Sequence, residues 1–68
     1  MELSARNKIE GTIKEIKLGN VMAKVSLEIA GGTIINSVIT VDSVNELKLK
    51  VGDTVQAIVK STEMMIAK

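Results

Sequence analysis

The sequence contains no cysteine, no histidine, and no phenylalanine, tyrosine or tryptophan among its 68 residues. Without cysteine there is no disulfide, and without cysteine and histidine there is no thiolate or imidazole metal site. The same absences leave any hydroxyl nucleophile without a partner to activate it, which argues against an enzyme. The missing aromatics remove the stacking surfaces on which small β-barrels hold single-stranded nucleic acid. Charge of one sign is scarce as well. Nine basic residues against eight acidic ones leave a net charge of +1, too little for a broad electrostatic footprint on nucleic acid. No apolar run approaches the roughly 18 residues of a membrane span, and no signal-peptide pattern opens the chain. The expectation is a cytoplasmic protein with no membrane or nucleic-acid partner; the lack of cysteine agrees with a reducing compartment.

Aliphatic side chains are plentiful, and hydrophobic residues make up 46% of the sequence. A chain of 68 residues is expected to form one domain over 1–68. A domain of that size buries only about 60% of the surface its unfolded chain exposes. Disulfides and metals being excluded, oligomerisation is the stabiliser that remains.

The hydropathy pattern reads as strands. From Asn7 to Lys17, Ile9, Gly11 and Ile13 alternate with Lys8, Glu10, Thr12 and Lys14, the period of a half-buried strand. Ile16 falls out of step with Ile13, so a bulge or a strand end is expected near Lys14-Glu15. Val21, Ala23, Val25, Leu27 and Ile29 alternate through a second strand, and Gly31-Gly32 supplies a hairpin turn. The third strand, residues 33–41, is apolar on both faces: Ile35, Ile39 and Val41 on one, Ile34 and Val38 on the other. Such a strand is ordinarily covered on both sides. Ser43 with Glu46 three residues on has the spacing of a capping box, with Ser43 as N-cap and Val44 and Leu47 on one side of a single helical turn. Residues 54–60 read as a fourth strand and 64–67 as a short fifth. The predicted fold is therefore all-β, a small five-stranded OB-like barrel with one short helical turn between strands 3 and 4.

Two polar motifs flank this pattern, Ser4-Ala5-Arg6-Asn7 near one end and Lys60-Ser61-Thr62 near the other. Arg6 and Lys60 are donors only, and the hydroxyls of Ser4, Ser61 and Thr62 each donate one more hydrogen bond. Thr40 and Ser43 bring two further hydroxyls to the start of the helical turn, where a helix N-terminus adds backbone N–H groups. Taken singly, each position has an ordinary explanation as a loose terminus, a turn or a cap. Together they form a donor-rich set with no carboxylate in it, suited to holding a small oxyanion and not to transforming one.

Four segments then resemble a known family: Ser4-Ala5-Arg6-Asn7 leading into Gly11, residues 27–32 (LEIAGG), residues 38–44 (VITVDSV), and residues 58–62 (IVKST). In this order and spacing they resemble the molbindins, small Mop-domain proteins that bind molybdate and tungstate, and the resemblance covers essentially the whole chain. It implies a homohexamer built as a trimer of dimers, with oxyanion sites at subunit interfaces. By that resemblance Ser4, Arg6, Thr40, Ser43, Lys60 and Ser61 would bind the ligand, Ser4 and Arg6 from one subunit and the other four from its neighbour. Molybdenum or tungsten would be held as the oxyanion, with no direct metal ligand and no other cofactor. A second class of site on the threefold axis is also implied, for which the Lys17–Asn20 turn and the Gly31-Gly32 backbone are candidates; a plain turn explains both. The expected function is oxyanion binding for intracellular molybdenum storage and homeostasis, with an OB-fold module for single-stranded nucleic acid as the alternative.

Overall fold

The computed structural model describes residues 6–68. Four strands and one short helix follow one another as β1 (Arg6–Leu18), β2 (Met22–Ile29), β3 (Ile34–Thr40), α1 (Val41–Glu46) and β4 (Thr54–Lys60). All strand pairs are antiparallel, and the sheet order is β3-β2-β1-β4, a curled half-barrel.

The long first strand organises the fold. Its thirteen residues would span about 40 Å if extended, yet the longest dimension of the described chain is 32 Å, so β1 has to bend. Two features let it do so. The pairing with β2 shifts register between Ile13 and Glu15, the bulge expected from the displaced Ile16. Just before it, Gly11 passes so close to β2 that a Cβ there would lie 3.1 Å from the Glu28 carbonyl oxygen and from Ile29 Cγ2. A side chain there would push β2 away by a few tenths of an ångström, so glycine eases the approach. Around this bend β1 changes partners: residues 6–12 pair with β4 and residues 11–18 with β2.

The core lies in the concave side of the sheet. Ile13, Ala23, Val25, Leu27 and Val44 are buried there, with Ile16, Ile35, Ile39, Val41, Leu49, Val55 and Ala57 packed around them. Each buried Val, Leu or Ile is worth about 1.5–3 kcal/mol, so five buried residues make a thin core. Against them, eleven large apolar residues are exposed among those described, including Val38, Ile58, Met65 and Ile66. The third strand does carry apolar groups on both faces as expected, with Ile35 and Ile39 half-buried and Ile34 and Val38 exposed.

Three expectations need correction. The fifth strand is absent among the described residues: residues 64–68 form no ladder with their own sheet, and Met65 and Ile66 are almost fully exposed. Strand β3 stops at Thr40, and the helix begins at Val41, with Thr40 and not Ser43 as its N-cap. Leu47 points to solvent, and Leu49 takes the place beside Val44, whose carbonyl accepts from the Leu49 N–H at 3.0 Å. The hairpin between β2 and β3 is a 3-10 turn over Ala30–Gly32, with positive φ at both Gly31 and Gly32 as that turn chemistry requires.

Candidate functional site

Register alone brings the two principal cations together. In the β1–β4 ladder Arg6 lies directly opposite Lys60, so their Cβ atoms are about 5 Å apart on one face of the sheet. Lys8 shares that face two residues along β1, and all three are exposed. The ion pairs among the described residues are Lys14–Glu28 (3.3 Å) and Lys50–Asp53 (3.2 Å), neither of which involves these cations. Glu63, three residues beyond Lys60, is exposed and pairs with none of them. Like charges facing each other across strands destabilise a sheet, and no carboxylate among the described residues pairs with either. Ser61 opens the 3-10 turn that follows Lys60. Ser4, assigned to the same cluster from the sequence, lies outside the described residues.

Thr40 and Ser43 form a different kind of group. Thr40 Oγ1 accepts from the Ser43 backbone N–H at 3.0 Å and donates to Ser43 Oγ at 2.8 Å. That leaves the Ser43 hydroxyl proton as the free donor of the pair. The helix itself offers an anion less than its sequence promises. It has only six residues, so its dipole is small. The Ser43 N–H is taken by Thr40, the Val41 N–H donates to the Val21 carbonyl at 2.8 Å, and Asp42 adds a carboxylate to the first turn. What the corner presents is hydroxyl groups.

The two groups sit at opposite ends of β1. Thr40 pairs with Met22, whose neighbour Ala23 pairs with Leu18 at the C-terminal end of β1, whereas Arg6 is the N-terminal residue of that strand. The fold thus unites Arg6 with Lys60 and Ser61, and Thr40 with Ser43, and holds the pairs apart. The candidates for a second site are turns: the Gly19 N–H donates to the Met22 carbonyl at 2.8 Å, and the Ile29 N–H to the Thr33 carbonyl at 2.9 Å. Lys8 was missed as part of the cationic face, although its spacing from Arg6 is the period-2 signal that finds it.

An antiparallel OB-like sheet with two facing cations at one end of its first strand defines a small binding module. The TOBE domain model matches residues 3–66. Molybdenum-pterin-binding protein 2 of Clostridium pasteurianum is 52% identical over 66 residues, covering 97% of both chains. A molybdate-binding protein from Sporomusa ovata superposes with a TM-score of 0.91 at 50% identity, covering 100% of both. The cytoplasmic molybdate-binding protein ModG, in a structure with molybdate bound, gives a TM-score of 0.85 at 44% identity over 93% of this chain and 45% of its own. The chain belongs to the TOBE-domain family, among its small molbindin members.

Proposed function

We propose that this chain binds molybdate, and its near-isostere tungstate, at sites shared between subunits of a homohexamer, and that it stores and buffers molybdenum in the cytoplasm without catalysing a reaction. The observation that carries this reading is the Arg6–Lys60 pair, two cations side by side with no carboxylate partner among the described residues. A tetrahedral dianion placed over them turns a repulsive pair into a chelating one. Each charge-assisted hydrogen bond formed in that way is worth about 1.5–3 kcal/mol. The names of the relatives agree on molybdenum, and ModG is described as cytoplasmic.

In this reading the ligand stays an oxyanion throughout, with no metal coordination by protein atoms. Arg6 and Lys60 offset its two charges, and the hydroxyls of Ser4, Ser61, Thr40 and Ser43 orient its oxygens. The register supports a partition different from the one implied by resemblance: Arg6, Lys60 and Ser61 from one copy, Thr40 and Ser43 from another. Distance motivates it, because the two groups occupy opposite ends of β1 within a chain. A pterin ring, named in some relatives, would find no aromatic side chain to stack on. The same absence weighs against single-stranded nucleic acid.

Native mass spectrometry with and without molybdate tests the reading. Ligand mass should appear on an oligomer and not on a monomer, and ligand should shift the equilibrium toward the oligomer. Ligand carried by monomers would sink the shared site, and no ligand at all would sink the function. Val38→Asp, on the exposed face of β3, should break the assembly while leaving circular dichroism unchanged; an unaltered sedimentation coefficient would remove that face from the interface.

A further inference from the structure

The outward face of β1 carries its charges in a fixed order. Arg6, Lys8 and Glu10 share that face, with the half-buried Thr12 next and Lys14 beyond it. Across the β1–β4 ladder the first three meet Lys60, Ile58 and Gln56 in turn. Lys8 therefore faces an aliphatic side chain, and it makes no ion pair among the described residues, although Glu10 follows two positions later. Lys8 and Glu10 both line an open polar groove of about 770 Å³, together with Thr12, Glu28 and Thr54. Lys14 offsets Glu28 at 3.3 Å, but Glu10 has no such partner among the described residues. Lys8 thus stands at a border, with the Arg6–Lys60 pair on one side and the Glu10 carboxylate on the other.

Charge balance decides what a third cation does there. Arg6 and Lys60 already match the two charges of a dianion, which leaves Lys8 in surplus. Closing Lys8 onto the ligand would immobilise a long, solvated side chain for a charge that is already offset. Yet two residues of strand rise set its Cα only about 7 Å from that of Arg6. That is inside the Debye length of about 30 Å at 0.01 M salt, and comparable to the 8 Å of 0.15 M. The Lys8 charge is felt at the pair through solvent, without contact.

We propose that Lys8 determines specificity at the oxyanion site through its field: it favours doubly over singly charged tetrahedral anions and shields the Arg6–Lys60 pair from Glu10. The inference rests on the reading of that pair as the oxyanion site. Hydroxyl groups recognise the shape of a tetrahedral anion and cannot separate two of equal size but different charge. A field can, because its energy scales with the charge it acts on. Across about 8 Å of water, one cation raises the affinity of a dianion about fourfold at 0.01 M ionic strength, about twofold at 0.15 M, and hardly at all at 1 M. For a monoanion the factor is the square root, about twofold at 0.01 M.

The test is calorimetry on the full chain with molybdate, and with perrhenate, a tetrahedral monoanion of similar size, displacing it, at about 0.01, 0.15 and 1 M ionic strength. Lys8 is exposed, so Lys8→Gln and Lys8→Glu leave the packing undisturbed. Lys8→Gln should weaken molybdate about fourfold and perrhenate about twofold at the lowest salt, and Lys8→Glu, twice the charge change, should weaken molybdate about 16-fold. Lys48→Gln removes the same net charge from the exposed segment after α1 and should change neither. Equal losses for the two anions, or a Lys48→Gln effect as large as that of Lys8→Gln, overturn the proposal. A loss that persists at 1 M salt makes Lys8 a direct contact and overturns it as well. Molybdate binding by the unaltered chain, with Lys8→Gln indistinguishable from it at low salt, overturns this inference alone. Failure of the unaltered chain to bind molybdate removes the oxyanion reading and this inference with it.

Discussion

The two ends of β1 handle polar groups in opposite ways. At the C-terminal end, Thr40 and Ser43 satisfy each other and cap α1, so their hydroxyls stabilise the fold before any ligand arrives. At the N-terminal end, Arg6 and Lys60 face each other with no carboxylate paired to either among the described residues, and the fold is slightly worse for it. A cap that is already bonded has little left to give a ligand. An unrelieved like-charge pair has more to gain, and the difference ranks the residues of the proposed site.

Lys60→Glu breaks the comparison most sharply. It sets a carboxylate opposite Arg6 and converts repulsion into a cross-strand ion pair, which should raise stability by about 0.2–1 kcal/mol. The same change removes one charge-assisted contact to the oxyanion and adds a repulsive charge, so affinity should fall at least about 100-fold. Stability and binding then move in opposite directions, as read by urea midpoint and by calorimetry. Retained affinity would mean that the anion does not sit over this pair.

The pattern of half-buried strands made much of this fold legible from sequence. β1, β2 and β4 follow the period-2 pattern because each has one face in the core, and the bulge shows in the single misplaced Ile16. Strand pairing was less legible. That Arg6 meets Lys60 depends on the β1–β4 register, set by two segments more than forty positions apart. The predicted fifth strand rested on pattern alone, and residues 64–67 have the pattern without pairing to either edge of their own sheet. The cap was misplaced by three residues because Thr40-x-x-Ser43 and Ser43-x-x-Glu46 offer competing start signals. Thr40 prevails since it is the last extended residue before the turn, at φ −75° and ψ 152°.

Arg6→Ala is a gentler version of the same test. It deletes one cation without adding an opposing charge, costing the ligand about 1.5–3 kcal/mol, or roughly 10- to 150-fold in affinity. Because Arg6 is exposed and its removal relieves the like-charge contact, thermal stability should hold or rise slightly. A lowered melting temperature would show that Arg6 serves the fold, and the contrast between the two ends would be lost.

At the other end the order of effects should reverse. Thr40→Ala removes the N-cap acceptor of α1 and should cost about 1 kcal/mol of stability. For a domain of this size that is a fall of about 4–8 °C in Tm. Affinity should drop only a few-fold, through the loss of the neighbour that orients Ser43. A Tm unchanged by this substitution would show that the Thr40 hydroxyl does not hold the helix start.

Ser43→Ala separates the two roles within the corner and carries the smallest effect. The cap survives, since Thr40 Oγ1 accepts from the Ser43 backbone N–H and not from its side chain. The Thr40 hydroxyl loses its acceptor but is exposed, and water replaces it. Stability should therefore stay within about 0.5 kcal/mol. The ligand loses one neutral hydrogen bond, about 0.5–1.5 kcal/mol, or roughly 2- to 12-fold in affinity. Calorimetry on the assembled protein reads this directly. The opposite pattern, a stability loss matching that of Thr40→Ala with affinity untouched, would make the corner purely structural and leave the oxyanion to the cationic end alone.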